Sequence, residues 1–169
     1  MIKRHSPLRR KRAQALAEMA VMVPFLVIGM MGMLDLGRAF YYQISITNAV
    51  REGARYAASP YYLGLNPFCA TIPPASNPGS NCVTAGDAAI QTHVQNELAG
   101  SNITIPASDI HVSPDQGTRV TYVNGATPTS RYPITVSASF KFNFITPIIG
   151  ALIGNPLTIN TSAVFRAEY

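Results

Sequence analysis

AQALAEMAVMVPFLVIGMMGML, residues 13–34, is an apolar run whose polar interruptions are Gln14 and Glu18. An α-helix needs about 20 predominantly apolar residues to cross the bilayer hydrocarbon, so this stretch has the length of one transmembrane span. Immediately ahead of it stand Lys3, Arg4, Arg9, Arg10, Lys11 and Arg12. Clustered basic residues stay on the cytoplasmic side of a membrane. The expected topology is therefore single-pass, with the N-terminus cytoplasmic and everything beyond Asp35 outside.

The same distribution disposes of a tempting reading of the charge. Thirteen Lys and Arg against eight Asp and Glu give a formal net charge of +5, which on a folded surface would suggest nucleic acid. Past residue 12, however, Arg38, Arg51, Arg55, Arg119, Arg131, Lys141 and Arg166 are outnumbered by Glu18, Asp35, Glu52, Asp87, Glu97, Asp109, Asp115 and Glu168. A nucleic-acid binder carries its basic stripe on the domain; this chain carries it on a short tail, and no nucleic-acid partner is expected.

Working outward from the span, the helical pattern continues. Leu36, Phe40, Ile44, Thr47, Val50, Ala54 and Ala57 recur at spacings of three or four, with Arg38, Asn48, Arg51, Glu52 and Arg55 mostly elsewhere, an amphipathic helix pattern. Pro60 disfavours helical geometry at Ser59, so residues 13–59 read as one rod of ~70 Å at 1.5 Å per residue. Pro24, Gly29, Gly32 and Gly37 are the places where it would kink or loosen. A cleaved secretory signal shares the basic and apolar regions but also needs a small-x-small site after them. The nearest, Gly37 and Ala39 around Arg38, lies inside the continuing helix.

Glu18 needs a reason. An ionised carboxylate in an apolar helix costs on the order of 2–3 kcal/mol on insertion scales, so it either reaches water and the Arg9–Arg12 cluster near the surface or pairs with a neighbour. RRKRAQALAEMAVMVP (9–24), LDLGRAFYYQ (34–43) and ITNAVREGARYAA (46–58) together resemble the TadE-like family, minor pilins or pseudopilins of the tight-adherence (Flp-type) pilus machinery. SAVFRAEY, with Arg166 and Glu168, is similar to that family's closing strand.

The resemblance implies a basic leader, residues 1–13, removed by a prepilin peptidase between Ala13 and Gln14, which makes Glu18 the glutamate five residues into the mature chain. Ala13 stands where the family usually has Gly. It further implies a transmembrane helix over 14–35, an exported domain over 36–169, and residence in a bacterial inner membrane. Its partners would be other pilin or pseudopilin subunits and the inner-membrane assembly platform. Physical chemistry agrees with the glutamate's role: cleavage frees an α-ammonium one turn before Glu18, and a carboxylate and an ammonium from adjacent helices, each costly alone at the membrane, reward the register that pairs them. Ala13, Ala15, Ala17 and Ala20 would let such helices approach closely.

Outside the membrane, the lone pair Cys69 and Cys82 sits in a stretch with Pro67, Pro73, Pro74, Pro78 and Gly79. An oxidising compartment favours a disulfide there; two free thiols are the alternative. TAGDAAIQTHVQNELAG (84–100) reads as a short helix with Thr84 or Asp87 as N-cap and Gly100 as its stop. Ile134, Val136, Ala138, Phe140, Phe142 and Phe144 then alternate with polar residues, as do Leu157, Ile159, Thr161, Ala163 and Phe165. That is the period of half-buried strands, with weaker strands at Asp109–Ser113 and Arg119–Val123, the latter ending at Asn124-Gly125, a turn signal. The expected fold is α+β and pilin-like: a long N-terminal helix, half transmembrane and half amphipathic, packed on a small antiparallel sheet of three or four strands. Between the last two strands ITPIIGALIGNP (145–156) is too short to span a bilayer and too apolar for an ordinary connection. Lipid, a partner or the domain's own core could cover it.

Chemistry-bearing motifs are missing from the sequence. His5, His93 and His111 stand apart from one another, without metal-ligand spacing, and no P-loop, nucleophile elbow or dinucleotide turn occurs. No metal, cofactor or catalytic residue is expected, and the chain reads as a structural subunit rather than an enzyme. The alternatives are a membrane-anchored periplasmic binding or sensory module that never assembles and, behind it, an anchored periplasmic hydrolase.

Overall fold

The computed structural model describes residues 7–59, 85–124 and 131–167. Its first element, α1, is a helix over Pro7–Ala58, starting a turn and a half ahead of the apolar run because Pro7 can open a helix, where its missing N–H has no partner to lose. The helix runs unbroken through Pro24, one of the places where the sequence reads as able to kink or loosen. It closes at Ala58, with the Ser59 N–H donating to the Arg55 carbonyl at 3.0 Å. Pro60, the expected stop, lies outside the described residues.

The chain divides into two compact units, Met1–Ala39 with Asn143–Leu157, and Phe40–Phe142 with Thr158–Tyr169. Within the first, α1 carries a sleeve of exposed apolar side chains from Leu16 to Leu36, and the apolar connection forms a short helix, α4, over Pro147–Ile153. Thr146 is its N-cap and Pro147 its first residue; it ends at Gly154, whose φ of 103° a side chain would resist.

The second unit holds the hydrophobic core. Its helical wall is Ile46, Ala49, Val50, Ala54 and Ala57 of α1. This corrects the apolar stripe read from the sequence: Val50, Ala54 and Ala57 are buried, whereas Leu36, Phe40 and Ile44 are more than half exposed. The stripe mixed two faces. Ile44 and Ile46 are both apolar, but two residues is about 200° of helical turn, and the domain covers the Ile46 side.

Against that wall lies α2, Asp87–Ala99, whose Ile90, Val94 and Leu98 recur every four residues and are buried. Its N-cap is Gly86, which supplies no side-chain cap; Asp87 is its first helical residue, Thr84 is outside the described residues, and Gly100 ends it as expected. A Cβ on Gly53 would collide with the Val94 side chain, so α1 and α2 approach as closely as they do because that position has none. Gln91 and Gln95 donate side-chain hydrogen bonds to the Ile110 and Ile105 carbonyls at 3.0 and 2.8 Å, fastening α2 to the segment that leads through a 3₁₀ turn, Ala107–Asp109, into the sheet.

The sheet has three strands in the order β1-β2-β3: Ile110–Ser113, Pro133–Phe142 and Leu157–Arg166. β1 and β2 are antiparallel with Ile110 opposite Ala138 and Val112 opposite Val136. In β2 the expected alternation holds, with Ile134, Val136, Ala138 and Phe142 buried; Phe144 falls beyond its end. β3 buries Ile159 and Ala163 and leaves Leu157 and Phe165 over a third exposed. Tyr42 of α1 meets Phe140 and Phe142 edge-on, each at a centroid distance of 5.6 Å, and the Ala167 N–H donates to the Tyr132 carbonyl at 2.8 Å.

One expected strand is a helix. Residues 119–123 belong to α3, Gln116–Asn124, although Thr118, Thr121 and the aromatic Tyr122 favour extended structure. Asp115 decides it. Its carboxylate accepts the Thr118 hydroxyl and also the Thr118 and Gly117 backbone N–H groups, the latter being the bonds a helix N-cap makes. The hydroxyl holds the Asp115 carboxyl below its ordinary range, with the backbone N–H groups helping and partial desolvation opposing.

Candidate functional site

Ala13, Gln14 and Glu18 lie in the early turns of α1, all exposed. Gln14 and Glu18 are four apart, hence on one helix face, and the Gln14 amide donates to Glu18 Oε1 at 3.3 Å. Around them Leu16, Met19, Val21 and Met22 are also exposed. The helix thus presents one carboxylate within an apolar surface, one turn from the peptide bond between residues 13 and 14. The basic residues ahead of Ala13 fall where no side chain is described. Cys69 and Cys82 lie outside the described residues, as does Glu168.

A second carboxylate on α1, unremarked in the sequence, is the more deeply engaged. Asp35 is 1% exposed. Its Oδ2 accepts the Thr146 N–H at 2.8 Å and its Oδ1 the Ile145 N–H at 3.2 Å, and Arg38 stands 3.3 Å away. A buried carboxylate is tolerated only when its oxygens are occupied; here two backbone donors just ahead of α4 and one guanidinium occupy them. A few residues earlier on α1, a Cβ on Gly32 would come within 2.8 Å of Ile149 Cδ1. Asp35 and Gly32 together seat α4 on the last turns of the apolar run. The sequence offered one signal, an acid at the end of a span, and reading it as a mere boundary missed the partner more than a hundred residues away.

The third polar node, in the other unit, is Arg119. Fully buried, it donates from Nη1 to the Pro114 carbonyl and from Nη2 to the Ala85 carbonyl, both at 2.6 Å. Nη2 also lies 2.7 Å from Asp87 Oδ1 as an ion pair whose angle is not that of a hydrogen bond. The other Asp87 oxygen accepts the Gln116 N–H at 3.1 Å. The cluster ties the start of α2 to the start of α3.

Arg55 pairs with Glu52 at 2.9 Å along α1, and His93 stacks on Tyr56 with centroids 4.4 Å apart over a shallow groove lined by Ala88, Ala89, Thr92 and Asn96. Among the described residues, no three His, Cys, Asp or Glu side chains converge to hold a metal ion.

Among curated proteins and among solved structures, nothing matches the chain. A family model, described as TadE-like protein, matches residues 13–55, from the residue before Gln14 to the helical wall of the core. Over residues 13–55 the chain is similar to the TadE-like family, the one its sequence segments resemble.

Proposed function

We propose that this protein is a minor pilin or pseudopilin: a structural, non-catalytic subunit that is held in the inner membrane by α1, processed between Ala13 and Gln14 by a prepilin peptidase, and incorporated into a tight-adherence pilus or related filament. The TadE-like segment links the chain to the tight-adherence pilus system, and the apolar helix is long enough for a single-pass anchor. The observation that carries the finer reading is the exposed carboxylate of Glu18, on an apolar helix surface, one turn from Gln14. Cleavage would place an α-ammonium at Gln14. A neighbouring subunit's ammonium set against Glu18 gives both charges a partner in a low-dielectric setting, where leaving either alone is the costly state. The exposed Phe40 and Ile44 extend a helix face available to other subunits.

The test is the N-terminal sequence and intact mass of the protein recovered from membranes, for wild type and Glu18→Ala. A chain beginning at Gln14, with Glu18→Ala inserted and processed but absent from filaments, is the expected result. Accumulation of chains that keep the leader would favour the non-assembling anchored module instead.

A further inference from the structure

Three features make α4 more than a connection. It is seated on the apolar run of α1, with Ile149 against Gly32 and the Ile145 and Thr146 N–H groups on Asp35. Its other large side chains are bare, Ile148, Leu152 and Ile153 being 56, 85 and 60% exposed, and so is Ile145 just ahead of it, at 62%. And no charged residue occurs from Phe142 to Phe165. The exposed side chains Met30, Met33 and Leu34 of α1 belong to the same compact unit, so the bare face of α4 adds to an apolar surface that already faces lipid if α1 spans the membrane.

Lipid also explains the polar arrangement. Non-helical backbone at membrane depth is tolerated only where its N–H and C=O groups find partners within the protein. Asp35 takes two of the N–H groups where the chain enters α4; Asn155 Oδ1 accepts the Phe144 N–H at 3.3 Å; and the Gly150 and Gly154 N–H groups donate to the Thr146 and Gly150 carbonyls at 3.2 and 3.0 Å. A surface loop bathed in water needs none of this side-chain provision.

We infer that α4 is a second membrane-contacting element, with Ile145, Ile148, Leu152 and Ile153 set among the acyl chains of the leaflet opposite the basic N-terminal segment. The inference rests on α1 as the membrane anchor and is independent of pilus assembly. Because α4 is fixed to α1 within one unit, it anchors the chain at a defined depth rather than at a flexible tether.

The protein has no tryptophan, so a single introduced indole reports its own surroundings. Full-length Leu152→Trp, with Ile148→Trp as a second reporter on α4, would be placed in phosphatidylcholine–phosphatidylglycerol vesicles with and without brominated acyl chains. Leu26→Trp in the span and Val164→Trp on β3 are the references. The expected result is blue-shifted, strongly quenched emission at 152 and 148, like that at 26, and water-like, unquenched emission at 164. Water-like, unquenched emission on α4 beside a quenched Leu26→Trp overturns the inference and leaves the anchor standing. Blue-shifted but unquenched emission overturns it in favour of a protein partner. An unquenched Leu26→Trp removes the anchor, and the inference with it.

Discussion

At the scale of single residues, buried and capping carboxylates make the sharpest claims. Asp35→Ala strips the Ile145 and Thr146 N–H groups of their acceptor. An unmade buried hydrogen bond costs about 1–3 kcal/mol, so amide exchange over residues 145–153 of the full chain in vesicles is expected to accelerate, with exchange in α2 and β2 unchanged; equal exchange would show that the capping bonds hold nothing. Arg119→Met tests the other unit. It leaves the Ala85 and Pro114 carbonyls and the Asp87 carboxylate without their guanidinium. Breaking a buried pair costs roughly 3–5 kcal/mol, and the Asp87 side chain, a third exposed, recovers part of that in water. A clear fall in the thermal midpoint of the full chain in detergent is expected. Asp115 gives a pH signature. Its carboxyl is lowered from the ordinary value of 3.8, chiefly by the Thr118 hydroxyl, so its contribution is fully present above that value and is lost as pH falls through the lowered one. Acid unfolding curves should therefore be shallower for Asp115→Asn than for wild type below that value, and parallel above it.

Elements show what the sequence made legible and where it stopped. β2 was readable because its period-two alternation is also its burial pattern, Ile134, Val136 and Ala138 facing the core. α2 was readable because Ile90, Val94 and Leu98 repeat every four residues and Gly100 follows. α3 was not: β-branched and aromatic residues argued for a strand, and the Asp115 cap together with the buried Arg119 overrode them, a tertiary decision that local propensity does not contain. The face of α1 was half legible, since alternation of apolar residues over 36–57 fits two stripes and only packing selects the one through Ile46 and Val50. Of the site residues, Glu18 announced itself by being a charge inside an apolar run, whereas the partners of Asp35 lie 110 and 111 positions away. The α1–α2 contact turns on Gly53, where any Cβ meets Val94. Overpacking typically costs about 1–3 kcal/mol, so Gly53→Ala should destabilise the full chain despite alanine's better helix propensity. The double variant Gly53→Ala/Val94→Ala should behave better than the sum of its parts. Additive losses would mean that the contact gives way freely.

On the scale of the whole molecule, the proposed anchor carries an expected direction, argued from charge along the chain, and the two cysteines can report it. Arg9, Arg10, Lys11 and Arg12 precede the apolar run, and positive residues near a span hold their side in the cytoplasm. If the domain is exported, Cys69 and Cys82 meet an oxidising compartment and can pair; on the cytoplasmic side they stay reduced. Replacing Arg9, Arg10, Lys11 and Arg12 by Ser while adding basic residues after Asp35 should therefore turn part of the population around. Rapid acid quenching, thiol alkylation and intact mass would count the modified cysteines without fractionating the membranes, and protease protection would locate the domain. Wild type is expected unalkylated with its domain on the outer side, and the redistributed variant doubly alkylated in proportion to the domain that becomes protected. Were both thiols alkylated in wild type while its domain is outside, the cysteines would not be paired. A wild-type domain on the cytoplasmic face would reverse the topology itself, and with it the route by which Glu18 could meet a neighbouring subunit's new N-terminus.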